Sequence, residues 1–134
     1  MNSAELQHLQ AMVGDNTTLL AVSKTVTSSR LREVYHSGIS SFGENRFQEL
    51  KVKQTELQDL DIKWHFIGKL QSNKASKLVG QVELIHSVDR MKLWDILREE
   101  CAKKQLKQDC LVQVNISQES GKGGLDIKKL DNFL

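Results

Sequence analysis

The feature that most constrains this chain is a regular alternation of two periodicities along its length. Five short apolar runs bounded by turn residues recur: Leu19 to Ser23, Ile39 to Gly43, Ile62 to Ile67, Glu83 to Val88 and Cys110 to Ile116. Each is short for a helix, and most are rich in β-branched or aromatic residues, so each reads as a strand. The first and last carry apolar residues on both faces, which predicts strands covered by helices on both sides.

Between the runs the apolar spacing becomes helical. Leu6, Leu9 and Val13 mark a first helix, and Leu31, Val34 and Tyr35 a second that stops near Gly38. Phe47, Leu50 and Leu57 share a stripe on a third, with Asn45 and Gln48 as a capping-box-like start. A short fourth holds Ala75, Leu78 and Val79 before Gly80. The fifth takes Asp89 as N-cap ahead of Leu93, Ile96, Leu97 and Cys101, and a sixth is expected from about Asp126.

Strand–helix alternation predicts βαβ units and an α/β fold with a parallel sheet. A small doubly wound sheet and part of a TIM-type (β/α) barrel both satisfy it. A barrel typically takes about 250 residues, so 134 residues fit an open five-stranded sheet more easily. Proline is absent and no stretch has linker composition, so residues 1–134 read as a single continuous domain.

Nineteen basic against seventeen acidic residues leave a charge of +2, too small a surplus to point to nucleic acid or a membrane surface. No apolar run approaches the length of a membrane span, and the mean hydropathy is −0.41. Cys101 and Cys110 form neither a disulfide framework nor a zinc set, and the first residues lack a signal-peptide pattern. The expected location is cytoplasmic.

Lys24 is the most informative single residue. Leu20, Val22 and Lys24 alternate onto one strand face, which puts the lysine at the carboxyl end of a strand, where α/β folds collect ligands. Partial desolvation there would lower its pKa and expose a neutral amine able to form a Schiff base. Position alone favours the plainer reading, a lysine that has left the strand and reached water. In Phe42-Gly43-Glu44-Asn45, Gly43 allows close backbone approach and Asn45 offers an amide, although capping would equally explain Asn45.

In Trp64-His65-Phe66-Ile67, His65 and Ile67 share one face and the aromatics the other. The following Gly68 to Lys74 stretch suits a polar or anionic ligand. A lone histidine between aromatics is more often a satisfied core residue than a functional one. His86-Ser87-Val88-Asp89-Arg90 again ends a strand in polar residues, with Asp89 and Arg90 expected to be solvated. Ser120-Gly121-Lys122-Gly123-Gly124 superficially resembles a phosphate loop. The spacing fails, since Ile116 stands where glycine is required and Gly123 where Ser or Thr is.

Taken together, Leu20-Ala21-Val22-Ser23-Lys24-Thr25, Phe42-Gly43-Glu44-Asn45, Trp64-His65-Phe66-Ile67-Gly68, Leu70-Gln71-Ser72-Asn73-Lys74 and His86-Ser87-Val88-Asp89 resemble one family. It is the pyridoxal phosphate homeostasis protein family, also called proline synthetase co-transcribed homologues. The match covers nearly the whole chain.

The resemblance implies a TIM-type (β/α) barrel like that of alanine racemase, of which this chain would hold the first five or so β/α units. It implies pyridoxal 5′-phosphate as cofactor, held as a Schiff base on Lys24, with Asn45 and His65 as neighbours. In the family, late-strand Ser/Gly/Thr loops hold the cofactor phosphate, and the chain would stop before them. The implied role is binding and homeostasis of the cofactor without catalytic turnover, with cofactor-accepting enzymes as partners. The alternative is a fragment of a racemase-like enzyme. A two-base racemase needs a second proton-transfer group, usually a tyrosine, and the only tyrosine here is Tyr35, within a helical pattern.

Overall fold

The structure, a computed structural model, describes residues 3–134. After α1 (Ser3–Val13) the chain forms β1 (Ala21–Val22), α2 (Ser28–His36), β2 (Ser41–Glu44), α3 (Phe47–Glu56) and β3 (Lys63–Phe66). It continues through α4 (Ser72–Leu78), β4 (Leu84–Val88), α5 (Met91–Lys104) and β5 (Asp109–Val112). These five strands make one parallel sheet in the order β1-β2-β3-β4-β5. A doubly wound sheet reverses its order about the first strand, so the consecutive order excludes it.

The last apolar run does not stay in one sheet. At Gln113 the backbone N–H donates to the Val88 carbonyl at 2.8 Å, while the Gln113 carbonyl accepts from the Leu125 N–H at 2.7 Å. The chain therefore passes at this residue from the main sheet into a second, two-stranded ladder of β6 (Val114–Asn115) and β7 (Leu125–Asp126). A 3-10 turn (Ile127–Lys129) and α6 (Leu130–Phe133) close the chain, with the Asp126 carboxylate accepting from the Lys128 N–H at 3.0 Å.

The core lies between the helices and one face of the sheet. Phe42, Phe66 and Ile85 point from the strands into Leu31, Leu50, Ala75, Leu78, Leu93 and Leu97, all buried. Each large apolar side chain so buried contributes roughly 1.5–3 kcal/mol. The other face is largely uncovered: Val22 is 52% exposed and Leu111 49%. This corrects the expectation that the first and last strands are covered on both faces. Crossovers of one hand between consecutive neighbours put every helix on the same side.

Two helix starts also differ from expectation. The caps of α3 and α5 are Arg46 and Arg90, neither making a side-chain capping bond. Pairing in β2 runs through Glu44, whose carbonyl accepts from the Ile67 N–H at 2.8 Å, so Asn45 stays at the strand edge one residue too early to cap. Asp89 is likewise displaced, and its carboxylate accepts instead from Arg90 at 2.6 Å. Helix α2 does carry a side-chain cap, the Thr27 hydroxyl accepting from the Arg30 N–H.

Candidate functional site at the carboxyl edge of the sheet

Lys24 sits directly after β1. The Ser23 N–H donates to the Gly43 carbonyl at 2.9 Å, which holds the strand end against β2. The Val26 N–H then donates to the Ser23 carbonyl at 3.1 Å, closing a turn with Lys24 and Thr25 at its centre. Thr25 has φ 63°, a left-handed conformation that a β-branched residue seldom adopts. Lys24 is exposed and has no hydrogen bond or ion pair among the described residues, in keeping with the plainer reading of a lysine that has reached water.

Beneath this turn, on the helix side, lies a polar cluster within the core. Glu44 is wholly buried, because β2 alternation places it beside Phe42 on the helix-facing side. Lys53 of α3 is also buried and pairs with Glu44 Oε1. Its Nζ also donates to the Ser23 carbonyl at 2.7 Å. The Ser23 hydroxyl reaches Glu44 Oε1 at 2.7 Å and the Gly43 carbonyl at 3.0 Å. Glu44 Oε2 is buried and has no partner.

No motif assigns a role to Glu44 or Lys53, yet the sequence pattern carries a signal. Glu44 occupies a core position in the strand alternation, and Lys53 lies on the same helical stripe as Leu50 and Leu57. Two opposite charges at core positions of neighbouring elements point to a pair.

Asn45 and Gly68 meet at the same edge. A Cβ on Gly68 would collide with the Asn45 backbone carbonyl, so only glycine lets the loop after β3 close down on the end of β2. A Cβ on Gly43 would stand 3.1 Å from the Ile67 side chain, which therefore lies over Gly43 on the open face. A cavity of about 620 Å³ opens outward here, between the starts of α3 and α4, and is lined by Asn45, Phe47, Phe66, Lys69, Leu70 and Lys74 among others.

His65 and Ile67 do share a face opposite Trp64 and Phe66, as the alternation requires. His65 pairs in register with Gly43, two strands from β1 and two residues below the level of Lys24. Standard strand spacings put its backbone on the order of 10 Å from that of Lys24. Its partner is His86, with Nδ1 of His65 2.9 Å from Nε2 of His86. Burial and then the neighbouring His86 lower the pKa of His65, against a smaller raising effect of Glu83, and burial lowers that of His86.

Asp89 and Arg90 are part-buried, not solvated: Arg90 also donates to the Leu70 carbonyl at 2.8 Å and so ties the end of β4 to the loop after β3. The glycine loop reaches the same edge through Gly123, where a Cβ would lie 3.9 Å from Asp89 Oδ2. Among the described residues no group of three or more His, Cys, Asp or Glu could hold a metal ion, and no helix is long and apolar enough to cross a membrane.

No protein-family model matches the chain. It is 46% identical over 118 residues to the pyridoxal phosphate homeostasis protein of Aquifex aeolicus, covering 87% of this chain and 52% of that protein. Among solved structures it is similar to PipY of Synechococcus elongatus PCC7942 without PLP, with a TM-score of 0.90 and 38% identity, over 97% of this chain and 61% of PipY. The PLP-bound form of PipY matches with a TM-score of 0.84 and 36% identity, over 98% of this chain and 63% of the other. The chain spans about half the length of the curated relatives it matches.

Proposed function

Because this chain belongs to the pyridoxal phosphate homeostasis protein family over the stretch it shares with those relatives, we propose that it is the lysine-bearing part of a pyridoxal 5′-phosphate-binding barrel. In this reading its five parallel strands are the first five β/α units of a TIM-type barrel, and the uncovered sheet face is turned to the barrel interior. The observation that carries the proposal is Lys24, an unpartnered amine at the carboxyl end of β1, where such folds place their chemistry.

The residues present fit the aldehyde half of the cofactor. When bound, the cofactor supplies an aldehyde carbon. Lys24 Nζ would hold the cofactor through that carbon as a Schiff base. Asn45 stands at the neighbouring strand end with its amide available for orientation. His65, two residues below the level of Lys24 and engaged by His86, completes the proposed cofactor-side set. Relatives are named for homeostasis, and we read the role as holding the cofactor and passing it to accepting enzymes, without turnover. Tyr35 lies on α2, edge-on to His36 and packed against the core on the helix side of the sheet.

The test is the visible spectrum of the purified chain with pyridoxal 5′-phosphate, followed by borohydride reduction and peptide mapping. The expected result is a reducible chromophore and a label concentrated at Lys24, both lost in Lys24→Ala. Label spread evenly over the surface lysines would overturn the assignment. Sustained amino-acid turnover by the pure chain, abolished in Lys24→Ala, would overturn the non-enzymatic role.

A further inference from the structure

We propose that the buried Glu44–Lys53 pair is a clamp that holds the Ser23 carbonyl and thereby fixes the turn presenting Lys24, an inference that rests on reading Lys24 as the cofactor-bearing lysine. Two opposite charges meet inside an otherwise apolar layer, with Glu44 0% and Lys53 6% exposed. They meet directly beneath the one turn that carries Lys24.

The Ser23 carbonyl accepts two hydrogen bonds, from the Lys53 ammonium at 2.7 Å and from the Val26 N–H at 3.1 Å. The first reaches across from α3, thirty residues on, and the second closes the turn. The Ser23 hydroxyl and N–H anchor the same residue to Glu44 and Gly43. Ser23 is therefore fixed at its hydroxyl, amide and carbonyl. The residue two positions later, Thr25, stands in the left-handed region at φ 63°. Such a conformation persists only where its surroundings over-determine it.

Stability alone does not account for the pair. A buried ion pair is often no better than well-packed apolar residues of similar volume. Here, moreover, Glu44 Oε2 is buried without a partner. What the pair supplies that apolar residues cannot is a charged donor aimed at one backbone carbonyl, with the carboxylate holding that donor in place. Glu44 and Lys53 are accordingly positioning residues for Lys24.

The test uses Glu44→Gln/Lys53→Met, which removes the clamp while leaving no unpaired buried charge. Two readings are taken on the folded full chain. One is amide hydrogen exchange without cofactor. The expected result is at least a tenfold rise at Val26 with exchange at Phe66, in β3, unchanged. The other is the ratio of borohydride-trapped label at Lys24 to that at exposed Lys77 on α4, expected to fall at least tenfold. A merely structural role would lower the melting temperature and raise exchange evenly across β1 to β3, leaving the labelling ratio where it was.

Unchanged exchange at Val26 overturns the clamp. So does an unchanged labelling ratio when the unaltered chain labels Lys24. Faster exchange at Val26, in a protein whose unaltered form takes no label at Lys24, upholds the clamp's hold on the turn and overturns the cofactor reading instead. Should the double variant not fold, Glu44→Gln/Lys53→Gln, which keeps polar groups of similar shape at both positions without the charged donor, is read the same way.

Discussion

The two faces of the five-stranded sheet are built from alternate residues of the same strands, yet they obey different rules. On the helix side, Phe42, Phe66 and Ile85 are at most 2% exposed and the polar groups that enter, Glu44, Lys53 and Ser23, bond to one another. On the open side, Val22 and Leu111 are about half exposed, and the polar groups, Lys24, His65 and His86, are free or only half-buried. Stability is thus concentrated on one face and the candidate chemistry on the other. A one-residue shift in strand register would exchange the two.

The largest expected effect breaks this comparison from the packed side. Phe66→Ala removes a buried ring that the surrounding helices cannot replace, and should lower stability by about 3–5 kcal/mol in urea titration. Val22→Ala, on the open face, should cost less than about 1 kcal/mol. Equal costs would mean the open face is covered in solution.

A second comparison separates buried charge from buried bulk. Glu44→Ala leaves the Lys53 ammonium inside the core with only the more distant, partly exposed Glu49 carboxylate at 3.8 Å, and should cost about 3–5 kcal/mol. Glu44→Gln/Lys53→Met should cost markedly less in the same titration. A double variant as unstable as Glu44→Ala would show that the pair contributes net stability as well as position.

On the open face the His65–His86 contact predicts a pH dependence of definite sign. Both pKa values lie below the ordinary histidine value in the folded chain, so at pH near and below about 6.5 the unfolded chain binds protons that the folded one does not. Stability from this source is fully present above that pH and is lost as pH falls through the folded values. The denaturation midpoint should therefore drop between pH 7 and 5, with a shallower slope in His65→Gln/His86→Gln. Asp59, whose carboxyl is held below its ordinary value by the Arg32 guanidinium, adds its own loss only at more acidic pH.

The smallest stability effect is expected where function is assigned. Lys24→Ala removes an exposed, unpartnered side chain and should change stability by no more than about 0.5 kcal/mol while abolishing the borohydride-trapped label. A large loss of stability would place Lys24 with the packed face and count against its being held free for a ligand.

The sequence by itself determined the order of elements from α1 to β5, the parallel pairing and which residues of a strand share a face. These follow from periodicity, which is local: Val22 falls on the open face because it alternates with the buried Ser23, and Phe66 on the packed face because it alternates with His65. Three things only the tertiary structure decided. The caps of α3 and α5 moved past Asn45 and Asp89 because strand pairing ran further than local propensity suggests. The open face stayed bare because consecutive crossovers put every helix on one side. The Ser23–Glu44–Lys53 cluster and the His65–His86 contact join residues 9 to 30 positions apart, on different elements. No local pattern encodes a distance of that kind. It appears only when parallel register sets one strand end beside the next and α3 folds back across them.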